Sequence, residues 1–497
     1  MTRERTVAEL GERRFDLLVV GGGIVGAGIA AHAARIGLAV ALVDRGDFGG
    51  GTSSASSKLV HGGLRYLRLG DVRLVREAHH ERRALSNVVA PHLVRRTPFL
   101  LPLYDDGPFT PSFVQSGILA YSILARSRLN WLVRPDRASG LVPSLRTAGL
   151  RSCALYADAW TNDARLCLAN VVAAARSGAT VANRAELVGF ERERGRIAGA
   201  HVTVDEERVL IRARAVVNAS GPWVDTVRRL EEPGAGTSVR LSKGVHVLVD
   251  CDEEWGAALT IPQDDVRVSF AVPWYGMLLL GTTDTAFEGD PGTVEVEPGD
   301  VETVLGEAAV ALGHELSAPS RVRASFAGLR VLPAGEGASA GARRETVFTV
   351  GRGGMLSVAG GKLTTYRRIA LQTLASLRPE LALHRLDTRP WPLPDAAPGR
   401  SVAVDVPPAV RDHLHHLYGA RAARVLALAR DDPSLLEPLH PGGPDIAAQA
   451  RYAVESEWAR TPEDVLTRRT TVTWRGLDDE HARARVESEL GIAARGA

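Results

Sequence analysis

The stretch Val19-Val20-Gly21-Gly22-Gly23-Ile24-Val25-Gly26 constrains this chain more than any other. It is a G-x-G-x-x-G that follows an apolar strand over residues 16–20 and opens an apolar helix over 24–36. Strand, glycine turn and helix in that order form a unit whose helix N-terminus meets a pyrophosphate. Gly21 permits the tight turn, Gly23 lets the backbone approach the phosphates, and Gly26 lets the helix lie against the strand. A second strand over 39–43 ends at Asp44, about 20 residues past the glycines, where a carboxylate accepts hydrogen bonds from ribose hydroxyls. An acid there disfavours a 2′-phosphate, so the ligand is expected to be FAD or NAD and not NADP.

The next segment separates those two. Gly51-Thr52-Ser53-Ser54-Ala55-Ser56-Ser57-Lys58 is rich in short hydroxyl side chains and runs into His61-Gly62-Gly63-Leu64-Arg65-Tyr66. Such a loop suits hydrogen bonding to a diphosphate and ribityl chain, for which NAD folds have no usual need. Thr52, Ser53, Ser54, Ser57 and Lys58 are therefore assigned to FAD. Here the chain resembles the FAD-dependent (aerobic, respiratory) glycerol-3-phosphate dehydrogenases, in which T-S-S-x-S-S-K-L-x-H-G-G-L-R-Y-L is close to a signature. The resemblance recurs at Tyr156 to Trp160 and on to Asn170, at Asn218 to Trp223, Gly281 to Asp284 and Gly328-Leu329-Arg330. It continues at Gly360 to Tyr366 and Leu466 to Thr470, so that it spans nearly the whole chain.

Length allows about three domains at roughly 150 residues each. The expected class is α/β: a Rossmann-like FAD-binding domain with an inserted antiparallel-sheet substrate domain and an all-helical C-terminal domain. The expected boundaries are 1–80, 152–235 and 326–386 for the FAD domain and 81–151 with 236–325 for the substrate domain. A Pro-rich linker over 387–408 and a helical cap over 409–497 complete the chain. A formal charge of +2 carries no single-sign excess that would point to nucleic acid. Residues 1–14 are charged and lack an apolar core, so no signal peptide is expected. No apolar run reaches the ~18 residues needed to cross a bilayer. Cys153, Cys167 and Cys251 are scattered without metal-ligand spacing, which fits packing residues of a reduced protein and no metal site.

The resemblance implies oxidation of glycerol 3-phosphate to dihydroxyacetone phosphate, with hydride passing from C2 to flavin N5 and electrons leaving to a quinone. It also implies a cytoplasmic protein held peripherally on the inner face of the cytoplasmic membrane. A phosphate dianion calls for fixed cations, and Arg65, Arg330, Arg344 and Lys362 are offered by separate motifs, with Tyr66 beside the first. The segment 333–342 matches nothing recognisable, so Arg343 competes with Arg344. Taking hydride from an alcohol leaves a proton, and His246 is the first choice of base, His61 the second, with Arg330 also assigned to the catalytic centre. His246 falls on a strand over 239–250 whose other face carries Lys243, Val245, Val247 and Val249. Gly221, Gly361, Leu363 and Thr364 are assigned to the cofactor, where small residues let backbone approach it.

Only Lys58, Lys243 and Lys362 among 60 basic residues are lysine, and each falls in a motif-like stretch where a compact cation suits a site that would reject the wider arginine. The paired His79-His80, and His413, His415 and His416, read as solvated surface. Residues 113–134 mix apolar side chains with Arg126, Arg128 and Arg134, and fit either a core helix with a wet face or an amphipathic element on a bilayer. The oligomeric state stays open, a homodimer included. Two other functions remain at this level: an oxidase passing electrons to oxygen or a relative acting on another small substrate, and a flavin-binding sensor without turnover.

Overall fold

The structure is a computed structural model that describes residues 3–63, 71–125, 131–264, 267–313, 315–335, 346–394, 396 and 404–496. Two sheets and a helical region make up the chain. The first sheet runs in the order Thr346–Val350, Leu356–Gly360, Glu207–Asn218, Arg14–Val20, Val40–Val43, Thr180–Ala182. From Leu356–Gly360 through Thr180–Ala182 the pairings are parallel. The strands read as near-continuous apolar runs because both faces are covered. On one face lie the helices Ile24–Arg35, Asp163–Arg176 and Tyr366–Ser376, packed through Leu17, Val19, Ile29, Leu168 and Ile369. On the other, Phe15, Leu18, Val20 and Val43 meet Leu10 and the antiparallel strands Ala185–Glu193 and Arg196–Val204. Ile24–Arg35 is rich in Ala and Gly, which brings its neighbours close: a Cβ at Gly28 would lie 2.8 Å from the Tyr366 ring.

The second sheet is built on Val239–Asp250, flanked by Met277–Gly281 and by Val322–Pro333, and continues through Val268–Trp274, Ala258–Pro262, Arg95–Tyr104 and Leu150–Trp160 to Leu59–Val60. It is antiparallel except where Ala258–Pro262 meets Arg95–Tyr104. The alternation along Val239–Asp250 is the expected one. Val245, Val247 and Val249 pack on Val304, Leu305 and Ala308 of the helix Pro298–Ala309, while Leu248 packs on the opposite face with Trp274 and Phe326. Sheet membership departs from the expected boundaries at three points, since Leu59–Val60, Leu150–Trp160 and Val322–Pro333 pair in the second sheet. The cause is that each strand takes its partners from the second sheet, Leu150–Trp160 between Arg95–Tyr104 and Leu59–Val60 and Val322–Pro333 along Val239–Asp250, long-range pairings that local pattern does not carry.

Beyond residue 408 come helices Pro408–Tyr418, Ala422–Leu428, Ala447–Ser456, Pro462–Arg468 and Glu480–Gly496 around Leu414, Leu417, Val425, Val465, Leu466 and Val486, with no strand among the described residues. The Pro-rich segment is not all linker: Leu393 is buried and its N–H donates to Val89 O at 2.9 Å, and Trp391 packs edge-on to His32.

Two expected surface histidines are interior. His79 is fully buried beside Tyr121, at 4.3 Å between ring centroids, whereas His80 is exposed. His413 is buried with Nε2 2.7 Å from Asp445 Oδ1.

Candidate functional site

One cavity of about 1470 Å³ runs from the glycine turn to the second sheet. That exceeds the ~300–1,000 Å³ of ordinary small-molecule pockets and suits a dinucleotide with a small substrate beside it. At the near end Gly21 has φ 107°, and a Cβ there would sit 2.5 Å from Ala219 O. A Cβ on Gly26 would lie 1.9 Å from Gly21 O, so the helix can rest on the turn only without one. The N–H of Ile24, in the first helical turn, donates to Ser53 Oγ at 2.9 Å. Asp44 accepts from Gly22 N at 2.6 Å and Gly46 N at 2.8 Å, one bond on each carboxylate oxygen. Each oxygen keeps a lone pair for a hydroxyl on the cavity side. Burial pushes its carboxyl above the ordinary value. Arg45 stacks over Trp223 at 4.3 Å, and both line the same end.

The serine loop divides into residues that line the cavity and residues that hold the loop. Thr52, Ser53, Ser56 and Ser57 line it. Thr52 Oγ1 also donates to Leu329 O at 2.7 Å, which ties the loop to the second sheet. Ser54 and Lys58 do not line it. Ser54 is buried, with its hydroxyl turned to Gly51 O at 3.4 Å. Lys58 Nζ pairs with Asp163 Oδ1 at 2.7 Å, the two side chains 1% and 0% exposed, and lies about 5 Å from the rings of Trp274, Phe326 and Trp474. The compact ammonium is needed there for a caged structural pair, not for a phosphate. Asp163 also takes Ser56 Oγ at 2.7 Å. Lys243 likewise bonds Asp300 at 2.8 Å, outside the cavity wall, which leaves Lys362 as the lysine that lines it.

At the far end, residues distant in sequence converge. His246 is opposite Phe326 in the strand register, and Gly244 is opposite Gly328. The imidazole of His246 stacks on Phe326 at 4.9 Å and 12°, with Nε2 2.9 Å from Ser57 Oγ. Its Nδ1 has no hydrogen-bond partner among the described residues. Burial, with Arg330 and Lys58 nearby, holds its pKa well below the ordinary value, so the ring is neutral. Arg330 leans over Gly244, where a Cβ would fall 2.6 Å from its Nη2. It donates to Asp284 Oδ1 at 3.0 Å, Thr282 Oγ1 at 3.0 Å and Thr283 O at 2.8 Å, bonds that fix the plane of the guanidinium.

From the other side come Gly360 and Gly361, at φ 78° and 79°, then Lys362, Leu363 and Thr364. A Cβ on Gly361 would fall 2.3 Å from Ile369. His61 N donates to Thr364 Oγ1 at 3.1 Å, which joins the two segments. Gly221, at φ 57°, lines the wall between the two ends. Arg65, Tyr66, Arg343 and Arg344 lie outside the described residues.

Several residues went unassigned from sequence. Asp158 accepts from Gly62 N at 2.8 Å and Tyr121 Oη at 3.0 Å and pairs with Arg82, so it anchors the His61-Gly62-Gly63 segment. Asp284 orients Arg330, and Glu463, Asp464 and Arg468 bring the C-terminal helices to the cavity wall. Asp158 and Asp284 both sit in motifs of the family resemblance, which was the available signal.

Residues 16–367 match the family described as FAD dependent oxidoreductase, and residues 360–489 match the C-terminal domain of alpha-glycerophosphate oxidase. Glycerol-3-phosphate dehydrogenase 2 of Mycobacterium tuberculosis is 34% identical over 505 residues, covering 96% of this chain and 85% of that protein. D-erythritol 1-phosphate dehydrogenase of Brucella abortus is 35% identical, covering 92% and 94%. The structure of a glycerol-3-phosphate dehydrogenase from Bacillus halodurans complexed with FAD is similar with a TM-score of 0.76 at 27% identity, covering 100% of this chain and 97% of that one.

Proposed function

Since this chain belongs to the FAD-dependent oxidoreductase family, among its glycerol-3-phosphate dehydrogenases, we propose that it oxidises glycerol 3-phosphate to dihydroxyacetone phosphate and passes the electrons to a quinone. The observation that carries this reading is the far end of the cavity, where a neutral histidine and a fixed guanidinium flank the glycine pair Gly244 and Gly328.

The residues present fit FAD. Gly21 and Gly26 have no room for a Cβ, Asp44 offers lone pairs at the ribose position, and Thr52, Ser53 and Ser57 line the stretch between the two ends. When bound, FAD supplies the two-electron acceptor for the hydrogen on C2. The remaining work falls to side chains. Loss of that hydrogen with its electron pair turns the alcohol into a ketone and frees the hydroxyl proton. His246 accepts the proton at Nε2, the nitrogen that faces Ser57 Oγ in the resting site. Arg330, held by Asp284, Thr282 and Thr283, presents its charge without having to reorganise, and Lys362 adds a second cation. Arg65 and Arg344 are the further cations assigned to the phosphate by their motifs. His61, tied to Thr364, is the alternative base.

FAD is held without a covalent link in this reading, so acid precipitation releases a yellow supernatant. The acceptor is assigned to the membrane because the helix Pro111–Ala125 borders the cavity with Phe113, Val114 and Ile118 and turns other apolar side chains outward. No helix among the described residues is long and apolar enough to cross a membrane, so the contact is peripheral.

The test is anaerobic addition of glycerol 3-phosphate to the purified protein, which should bleach the flavin absorbance. Because a relative of equal similarity is named for D-erythritol 1-phosphate, that compound is run beside it. Faster bleaching by the longer polyol phosphate would reassign the substrate, and hydrogen peroxide in aerobic turnover would reassign the acceptor.

A further inference from the structure

The motif Leu466-Thr467-Arg468-Arg469-Thr470 is far in sequence from every other cofactor segment, yet its arginines close on the turn that follows Asp44. Asp47 is buried and accepts from Arg468 Nε at 2.6 Å, from Arg469 Nη2 at 2.9 Å and from Arg469 Nη1. Asn183 Nδ2 adds a bond at 3.2 Å. The arginines are themselves fixed: Arg468 Nη2 donates to Asp464 Oδ1 at 2.7 Å, and Arg469 Nη2 donates to Glu457 O at 2.6 Å. Glu457 is gripped by Arg165 at 2.7 and 2.8 Å and by Arg421 at 2.8 Å, all of them buried. Next to Asp47, Phe48 meets Trp458 edge-on at 5.6 Å and lies under the glycine turn, where a Cβ on Gly22 would fall 2.3 Å from its ring. Two consecutive residues of the turn are thus held by the C-terminal helices, while Asp44 at its start holds Gly22 N.

We propose that the C-terminal helical region is part of the cofactor-binding apparatus: Arg468 and Arg469 are positioning residues that, through Asp47, hold the Asp44–Gly50 turn for the adenosine half of FAD. The inference rests on the FAD reading of the cavity and goes beyond it by giving the helical region a role. A carboxylate buried between two guanidinium groups cannot swing without leaving charges unpaired, so the turn keeps one shape only while the helices are docked. Docking and cofactor binding then favour each other, and the coupling is reciprocal.

Arg468→Gln removes one donor to Asp47 and keeps Arg469. FAD affinity, read from fluorescence recovery as the full-length holoenzyme is diluted, should fall by about 5-fold or more. ADP-ribose, which has the adenosine and pyrophosphate but no flavin, should lose affinity for the flavin-stripped full chain by the same factor. A role confined to stability would instead lower the melting temperature and leave ADP-ribose affinity unchanged. Arg451→Gln, which breaks the Arg451–Glu489 pair within the same helices, serves as that control.

Should Arg468→Gln fail to fold, hydrogen exchange on the wild-type chain decides the matter. ADP-ribose should slow exchange of the amides over residues 460–471, and unchanged exchange overturns the proposal. Wild-type ADP-ribose affinity in Arg468→Gln overturns the coupling alone, whereas a wild-type chain that binds neither FAD nor ADP-ribose overturns the cofactor reading with it.

Discussion

Ser57 Oγ stands 2.9 Å from His246 Nε2, across 189 residues of sequence, and joins the serine loop to the second sheet at the centre of the site. The imidazole is otherwise held by stacking on Phe326, with no hydrogen bond at Nδ1 among the described residues. His246→Asn keeps a polar side chain of similar size but removes the base. Turnover should fall by about 10²-fold or more, the usual contribution of a general base, with flavin content unchanged. Ser57→Ala should cost less, because the imidazole stays in its stack. If His246→Asn turns over at a near-normal rate across the neutral pH range, the assignment passes to His61.

Lys58 and Asp163 make a second test, of stability and not of chemistry. With both side chains buried, Lys58→Met leaves the Asp163 carboxylate charged and short of a partner. Breaking one side of such a pair costs about 3–5 kcal/mol. Removing both charges in Lys58→Met/Asp163→Asn should cost less than Lys58→Met alone. Urea unfolding measures both, and equal midpoints for wild type and Lys58→Met would show the pair to be unimportant.

Acid should weaken the fold well before the paired core carboxylates Asp445 and Glu457, held down to about 2, titrate. Burial holds His32, His79 and His92 at a pKa of about 3 and His416 at about 4, from an unfolded value of 6.5. In that window the unfolded chain binds more protons than the native one, so stability rises with pH and is lost as pH falls from 6.5 towards 4. Asp44 and Asp158, raised by burial, act in the opposite sense above 3.8 but are fewer. His79→Phe removes one of these protons and should flatten the slope of unfolding free energy against pH by about 1.4 kcal/mol per unit. A slope identical to wild type would mean that His79 is not held neutral.

The parts of the site that were legible in sequence are those made by neighbours along the chain. The glycine turn, Asp44 and the alternation of Val239–Asp250 depend on local spacing, and each lies where expected. Arg330 and Thr364, expected at the site from short and distinctive motifs, both line the cavity. What escaped depends on partners far away. His79 is interior because Tyr121 and Gly62 close over it, and His413 because Asp445 waits 32 residues on. Lys58, assigned to the cofactor with the rest of the serine loop, instead pairs with Asp163 inside a cage of three aromatic rings. The helical C-terminal region showed no site of its own because its arginines bond Asp47, 421 and 422 residues earlier in the chain.

The last prediction concerns the helix Pro111–Ala125. Its inner face, with Val114, Ile118 and Tyr121, is in the core, while Phe113, Leu119 and Ile123 are 56%, 59% and 70% exposed. The inner face fits the core-helix alternative for residues 113–134, and the exposed face is the one on which the bilayer alternative is tested. Of the three exposed side chains, Phe113 also lines the cavity, and large exposed apolar side chains on one helix are the kind of surface that interaction sites use. Formal charge of +2 gives no global attraction to an anionic bilayer, so attachment has to come from local insertion of these side chains, aided by headgroup contacts. Arg126 and Arg128 follow directly in sequence, outside the described residues. The wild-type protein should co-sediment with anionic vesicles, and salt should release only part of it, because apolar burial is not screened. Leu119→Glu/Ile123→Glu should abolish most of the binding and leave FAD content and turnover with a soluble dye unchanged. Failure of the wild type to co-sediment at low ionic strength would reject the membrane contact and make a soluble electron carrier the better acceptor.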